Sequence, residues 1–294
     1  QAIAAAGITN GCNPPANSRF CPHDAIRRDA MATFLARAEG WSPVDVPPRI
    51  DISNVDVEVY AGDSLSGMAD DYPEGTVFLV FGTHYGEEVW PKDNQVFLSS
   101  GAKLEGNGAT YAFHGYADNV IIRGFEVTGY NNPAQNGAIN GEGNSWVIES
   151  NYVHHNAGVG IRVGAGSPVI RGNTINYNHQ LGVSADYTTN GLIADNEIGF
   201  NNWLQEYTWG WEAGGSKFWS NVDLVVRNNY VHNNHGPGLE HEFISQPCFT
   251  VPVAALLCRS AGLCNARVAP GQWTKRRDTR PIAGAHQRTP NAYQ

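Results

Sequence analysis

The chain has 294 residues, including 33 Gly and 8 Trp but only 2 Met, and its formal net charge is −9. This acidic balance disfavours nucleic acid and anionic membrane surfaces as partners. No apolar run reaches the roughly 18 residues that a membrane-spanning helix needs, so we expect no membrane span. The abundant Gly and Asn residues indicate many tight turns, because both tolerate a positive backbone φ.

The first segment, residues 1–41, carries a recognisable pattern. It contains Gly7-Ile8-Thr9-Asn10-Gly11-Cys12, then Phe20-Cys21-Pro22, then a predicted amphipathic helix from Ala25 to Ala38 with an apolar stripe. This pattern resembles the second half of an S-layer homology module. The helix positions that match are Arg28, Met31, Ala32, Phe34, Leu35, Arg37 and Ala38. The resemblance implies a cell-wall polymer as partner, and the alternative is a small packed appendage.

The 5 Cys residues fall into two groups, near the start and in the last fifth of the chain. Cys12 and Cys21 are candidates for a disulfide that closes a small loop in an oxidising compartment. Neither group has the paired spacing of a zinc site, so the sequence does not identify residues that would bind a metal ion. The chain begins at Gln1 rather than Met, which indicates a mature form or a fragment. We expect an extracellular or cell-surface location.

A Pro-containing linker is predicted over 42–60, and a domain over 61–243. At its start, residues 61–85 predict a short helix, a turn at Pro73-Glu74-Gly75 and a strand. This arrangement resembles the N-terminal cap of β-helix proteins. A cap is physically needed because the end of a solenoid exposes apolar core and unpaired strand edges.

An internal repeat is the strongest signal in the sequence. Four aligned segments begin at Val147, Val169, Leu192 and Leu224, each with an apolar pair followed by Asn, and a weaker copy begins at Ile121. A period of about 22 residues is typical of a solenoid. The patterns of leucine-rich repeats and of calcium-binding nonapeptide arrays are absent. The sequence therefore predicts an all-β solenoid, a right-handed parallel β-helix, with a small α-helical N-terminal module.

Stacked coils would bring equivalent Asn residues to the same corner. The predicted ladder consists of Asn151, Asn173, Asn196 and Asn228, whose amides can hydrogen-bond from coil to coil. We expect these Asn residues to adopt the left-handed conformation at the corner.

The last segment, 244–294, departs from this pattern. It has seven Arg and Lys residues but one acidic residue, Asp278, and it shows no coil signature. We interpret it as an irregular basic tail that arises from a frameshift or truncated reading frame. The alternative is a genuine basic tail that caps the solenoid or docks elsewhere.

Strand alternation predicts which side chains face outward after the second corner of each coil. One outward column is Asn140, Arg162, Ser184, Lys217 and Glu240, and a second is Glu142, Asp186 and Trp219. The longest insertion, between Asn201 and Gly215, adds Trp203, Tyr207, Trp209 and Trp211 beside these columns. Exposed aromatic rings suit stacking against sugars, although some of these rings could instead cover the loop's own backbone.

With its Val-Ile-x-x-Asn repeats, segment 121–242 resembles the superfamily of pectate lyases and related polysaccharide enzymes. The resemblance implies a groove that binds polysaccharide, and β-elimination in which Lys or Arg removes the proton next to a uronate carboxylate. In this sequence, Lys217 best fits the base that removes the proton. Arg162 best fits the partner of the uronate carboxylate. The resemblance implies that a cation, often Ca²⁺, or a second basic group neutralises that carboxylate. The substrate-binding candidates are Trp219, Trp211, Trp209, Asp186, Glu240 and Asn140.

Three alternatives stay open at this point. Lys217 could be a solvated surface residue, and the protein could be a non-catalytic solenoid that binds glycan or has a structural role. Hydrolysis is the weaker enzymatic hypothesis, because the only Asp-Asp pair, Asp70-Asp71, lies in the predicted cap.

Overall fold

A computed structural model describes residues 54–208 and 212–242 of the chain. Within these residues the chain winds into a right-handed parallel solenoid with three sheets, and every strand pairing is parallel. Several predictions fall outside the described residues: the 1–41 module, the Cys12–Cys21 disulfide, Trp209, Trp211 and the 244–294 tail.

In the described part of the chain, the first sheet has eight strands. In spatial order they are β1 (Val57–Val59), β2 (Val77–Val80), β4 (Val96–Ser99), β7 (Ile121–Arg123), β10 (Val147–Glu149), β13 (Val169–Arg171), β16 (Leu192–Ala194) and β19 (Val225–Arg227). Strand β1 lies inside the segment 42–60 that was predicted as a linker, so the first sheet begins before Ala61.

Among the same described residues, the second sheet has seven strands. They are β3 (Thr83–Tyr85), β5 (Lys103–Glu105), β8 (Glu126–Thr128), β11 (Tyr152–His154), β14 (Thr174–Asn176), β17 (Glu197–Gly199) and β20 (Tyr230–His232). The third sheet has six strands as far as residue 242: β6 (Phe113–Gly115), β9 (Gly137–Gly141), β12 (Val159–Val163), β15 (Leu181–Asp186), β18 (Gly214–Trp219) and β21 (Glu240–Glu242). The predicted all-β parallel solenoid is confirmed.

The short helix predicted near the start is α1 (Leu65–Asp71). The Ser64 side chain caps it by accepting a hydrogen bond from the Gly67 N–H at 3.1 Å. Leu65 and Ala69 are fully buried and belong to the hydrophobic core. The helix therefore covers the apolar interior at this end of the solenoid.

The core lies inside the coils. The middle residue of each short strand in the first sheet points inward, which stacks Ile122, Ile148, Ile170, Ile193 and Val226 in one column. Toward the N-terminal end, stacked Phe78 and Phe97 rings, with centroids 5.1 Å apart, fill the same space. Each fully buried aliphatic side chain of this size contributes about 2 kcal/mol to folding.

The Asn ladder at the corner between the first and second sheets is built from Asn151, Asn173, Asn196 and Asn229. The prediction of Asn228 as the fourth member is wrong. Strand β19 pairs Val225, not Leu224, with Leu192, so the last coil is shifted by one residue relative to the predicted alignment. Asn228 precedes the ladder residue and is exposed.

The left-handed conformation expected for the ladder Asn residues is adopted instead by the residue before each of them. Ser150, Asp195 and Asn228 have φ between 53° and 58°, and Gly172 has φ 63°. The ladder Asn residues themselves do not have a positive φ. A second ladder, at the next corner, consists of Asn156, Asn178, Asn201 and Asn234.

Candidate functional site

The outer face of the third sheet carries the predicted polar column. Strand register aligns His114, Asn140, Arg162, Ser184, Lys217 and Glu240 in that order. Their strand neighbours Ile161, Val183 and Phe218 point into the core. The column therefore has the composition that the sequence predicted, with His114 added at its N-terminal end.

A second column runs beside the first on the same face. Asp186 pairs with Trp219 in the ladder, and continuing the register by one residue past Gly115, Gly141 and Val163 adds Tyr116, Glu142 and Gly164. Each strand of the sheet is one rung of the solenoid, and neighbouring rungs are about 4.8 Å apart. Glu142 and Asp186 therefore flank the rung of Gly164, where the sheet carries no side chain.

The Arg162 side chain joins these two carboxylates. Its Nη1 donates to Glu142 Oε1 at 2.9 Å, and its Nε donates to Asp186 Oδ2 at 3.1 Å. The guanidinium lies next to Gly164, since a Cβ added there would be 3.6 Å from Nη1. Because both of these donors already bond carboxylates of the protein, Arg162 is not arranged as the isolated partner of a uronate carboxylate.

Two further polar residues hold the carboxylates in place. The Asn140 amide donates to Glu142 Oε1 at 3.1 Å, and the Ser184 hydroxyl donates to Asp186 Oδ1 at 3.3 Å. Burial raises the pKa of the Asp186 carboxyl above its ordinary value, and the neighbouring Arg162 offsets this effect only in part. Asn140, a predicted substrate-binding residue, is fully buried and thus supports this cluster from beneath.

Lys217 is placed on the predicted column but is not a surface residue. Its side chain is 11% exposed, and its Nζ lies 3.2 Å from Glu212 Oε1. The alternative in which Lys217 is a solvated surface residue is therefore wrong. A general base must reach the proton that it removes, whereas Lys217 Nζ lies against a carboxylate of the protein. The insertion supplies this carboxylate, which strand periodicity could not indicate.

Exposed aromatic rings lie at both ends of the polar row. Toward the N-terminal end, the His114 ring is 4.5 Å from Trp90 and 4.3 Å from Tyr111. Toward the C-terminal end, the Tyr187 and Trp219 rings meet at 4.8 Å. Trp219 was predicted from the sequence, whereas Trp90, Tyr116 and Tyr187 were not.

These missed rings are well exposed, at 49% for Trp90, 70% for Tyr116 and 58% for Tyr187. Tyr116 could have been found by extending the second column back by one rung. Tyr187 directly follows the outward Asp186 but has φ 55°, a conformation that alternation does not predict for it.

Trp203, the first aromatic residue of the insertion, lies elsewhere. Its ring contacts His155 at 5.9 Å and His179 at 6.1 Å, beside the second Asn ladder. It therefore packs on a corner of the solenoid rather than on the polar columns of the third sheet. Tyr207 anchors the same loop, since its carbonyl accepts a hydrogen bond from the Asn202 amide at 2.9 Å.

The described residues contain no group of three or more His, Cys, Asp or Glu side chains arranged to hold a metal ion. The carboxylates of Glu142 and Asp186 in the second column each form an ion pair with Arg162. The arrangement in this part of the chain does not fit a Ca²⁺ site, so no chemical step is assigned to calcium. Within residues 54–208 and 212–242, no helix combines the length and apolar character that crossing a membrane requires.

Comparison with known proteins agrees with the architecture. No curated protein and no solved structure matches the chain. A model of the family described as the right handed beta helix region matches residues 92–245, more than half of the sequence, and the chain therefore belongs to that family.

Proposed function

We propose that the outer face of the third sheet binds an extended polysaccharide, in an extracellular or cell-surface setting. The observation that carries this proposal is the pair of exposed aromatic groups that flank a polar row on one straight face. Tyr116 marks the first aromatic group, and Asp186 directly precedes Tyr187 of the second group. Tyr116 and Asp186 are three rungs apart, which corresponds to roughly 14 Å along the solenoid axis. This distance is about the length of three sugar rings.

The chemistry of the face suits a sugar chain. Sugar rings present apolar C–H faces that stack on aromatic side chains, and Trp90, Tyr116 and Tyr187 supply such rings at the surface. Between them, the carboxylates of Glu142 and Asp186 can accept hydrogen bonds from sugar hydroxyls. An extended polymer can follow a face whose rungs repeat at a constant spacing. A compact ligand would not need such a long, regular face.

The contacts support binding rather than β-elimination. Abstraction of a proton from a uronate needs a base that can reach the proton and a cation that can pair with the uronate carboxylate. Lys217 lies against Glu212, and Arg162 is held between Glu142 and Asp186. The function proposed is thus that of a glycan-binding solenoid without lyase chemistry.

Binding and cleavage can be measured on the same panel of glycans. Purified protein would be titrated calorimetrically with neutral, amino-sugar and uronate oligosaccharides, and ultraviolet absorbance would report the conjugated double bond that a lyase creates. We expect binding of at least one class and no rise in absorbance on any. If no class binds, the proposal fails, and if absorbance rises, the lyase assignment of Lys217 and Arg162 replaces it.

A further inference from the structure

The third-sheet face has more acidic than basic side chains. Among the residues that the structure describes, the carboxylates on or beside its two columns are Glu88, Glu142, Asp186, Glu212 and Glu240, and the basic side chains are Arg162 and Lys217. Burial lowers the pKa of His114, so its imidazole adds no compensating charge near neutral pH. The face is therefore negatively charged where a ligand would lie.

The two cations offset only part of this charge, because they face five carboxylates. Arg162 already contacts two carboxylates, and Lys217 lies 3.2 Å from Glu212. A polyuronate would place a regular series of carboxylates against this surface. Like charges brought together at an interface are strongly unfavourable, so the face selects against uronate polymers.

We propose that the polysaccharide bound on this face is one whose sugars carry free amino groups, a polyglucosamine-type chain, and that Glu142 receives its ammonium groups. This inference rests on the proposed function and specifies its ligand class. It differs from what the family resemblance implies, because the charge of the face is opposite to the one a uronate would need.

Glu142 has the geometry for this role. The hydrogen bonds from Arg162 and Asn140 both end on its Oε1, at 2.9 and 3.1 Å, and its side chain is 25% exposed. Tyr116 lies one rung away in the same column, about 4.8 Å along the axis. A sugar ring stacked on Tyr116 can therefore place a substituent of the next ring beside the second oxygen of Glu142. An ammonium group there would make a charge-assisted hydrogen bond.

The test compares hexasaccharides of matched length by isothermal titration calorimetry: glucosamine, N-acetylglucosamine, glucose and galacturonate, each with EDTA and then with Ca²⁺. The pH is kept mildly acidic so that the amines are protonated. We expect the glucosamine hexamer to bind about tenfold more tightly than the glucose hexamer and the galacturonate hexamer to bind weakest. Raising the salt concentration should weaken only the glucosamine complex.

Two variants locate the charge. Glu142→Gln should weaken binding of the glucosamine hexamer about tenfold while changing the glucose hexamer less than about twofold. The matched control, Glu105→Gln, removes a half-exposed carboxylate from the second sheet and should change neither affinity. Thermal unfolding monitored by circular dichroism checks that both variants fold. Asp186→Asn gives a second test of the carboxylates on the third-sheet face.

The outcomes separate this inference from the proposed function. Tighter binding of galacturonate, with or without Ca²⁺, or equal binding of all four hexamers would overturn the amino-sugar assignment while leaving glycan binding intact. Binding of none of the hexamers would remove both. Preferential glucosamine binding that Glu142→Gln leaves unchanged would assign the ammonium to another carboxylate and refute the role of Glu142.

Discussion

Asn151 donates both its main-chain N–H and its side-chain amide to one atom, Oδ1 of Asn173, at 3.0 and 3.1 Å. Asn173 bonds Asn196 in the same way, with both distances at 2.9 Å. The Asn173 amide also donates to the Ile148 carbonyl at 2.9 Å. The two inner ladder positions, Asn173 and Asn196, thus each need a short side chain that accepts two hydrogen bonds and donates two, a requirement that the Asn amide meets.

Replacing Asn173 by Ala should therefore destabilise the solenoid. The change removes a buried acceptor and leaves the N–H and amide of Asn151 without their partner, at a cost of roughly 3 kcal/mol in the free energy of unfolding. Urea denaturation followed by circular dichroism measures this loss. Asn131→Ala, at an exposed loop position, is the matched control and should change stability by less than about 0.5 kcal/mol. Equal effects of the two changes would contradict a stabilising role for the ladder.

The position of the last ladder residue can be tested with a neighbouring pair. Asn228 has φ 53° and is exposed, whereas Asn229 accepts both ladder bonds from Asn196. Asn228→Gly should be tolerated to within about 0.5 kcal/mol, because Gly adopts a positive φ without strain. Asn229→Gly should cost roughly 2 kcal/mol or more, because buried donors lose their acceptor. The urea midpoints of the two variants give the comparison, and the reverse order would restore the alignment on Asn228.

The sequence was sufficient to predict the solenoid and most members of the two polar columns of the third sheet. The period and the alternation of side chains are local properties that survive in a single sequence. Arg162, Ser184 and Lys217 could be aligned because each lies between two residues that point inward.

The sequence was not sufficient to fix the register of the last coil. Two Asn residues occur in succession at each of its corners, Asn228-Asn229 and Asn233-Asn234, so two alignments match the pattern equally well. The hydrogen bonds from Asn196 and Asn201 select the second member of each pair. Likewise, the ion pair of Lys217 with Glu212 depends on the path of an insertion that does not follow the repeat.

A buried ion-pair group on the first sheet gives a third prediction. Glu149 is 1% exposed and contacts Arg123 on one neighbouring strand and Arg171, at 2.6 Å, on the other. Glu149→Gln would leave two partly buried guanidinium groups next to a neutral amide, at a cost of about 3–5 kcal/mol in unfolding free energy. Chemical denaturation measures the loss.

The exposed pair of Lys103 and Glu105, at 3.0 Å on the second sheet, provides the comparison for Glu149. Glu105→Gln should cost about 0.5 kcal/mol, because solvent screens an exposed pair. If Glu149→Gln proved as mild as Glu105→Gln, the two Arg residues would have to be satisfied without the carboxylate.

The aromatic rings of the third sheet give a fourth prediction, which rests on the proposed function. Tyr187→Ala and Tyr116→Ala should each weaken binding of the preferred glycan by about 1–3 kcal/mol, the range for loss of an aromatic anchor. Calorimetric titration measures the change. Tyr85→Ala removes a ring that is 62% exposed on the second sheet and should leave affinity unchanged. Equal losses from all three changes would move the ligand away from the third sheet.

A pair of adjacent histidines at the second corner makes stability depend on pH. The Nδ1 atoms of His154 and His155 lie 2.7 Å apart, and His154 Nε2 faces Glu126 at 3.4 Å. Burial lowers the pKa of His154, and repulsion from His155 lowers it further. Burial also lowers the pKa of His155, with repulsion from His179 as the smaller cause. Glu126 opposes these effects on His154 without reversing them.

Stability should therefore fall as the pH is lowered through the unfolded histidine pKa of about 6.5. Above that value both rings are neutral in the folded and the unfolded chain, and their contribution is fully present. Below it the unfolded chain binds protons that the folded chain does not, until the pH reaches the lower folded pKa values. Urea midpoints measured at intervals from about pH 7.5 to about pH 5.5 would show this slope.

Replacing both His154 and His155 by Gln should flatten the slope, because the side chains that titrate are gone. His114→Gln, which removes a third histidine whose pKa burial lowers, should flatten it less. If the double variant kept the full slope, the pH dependence would have to come from groups outside this corner.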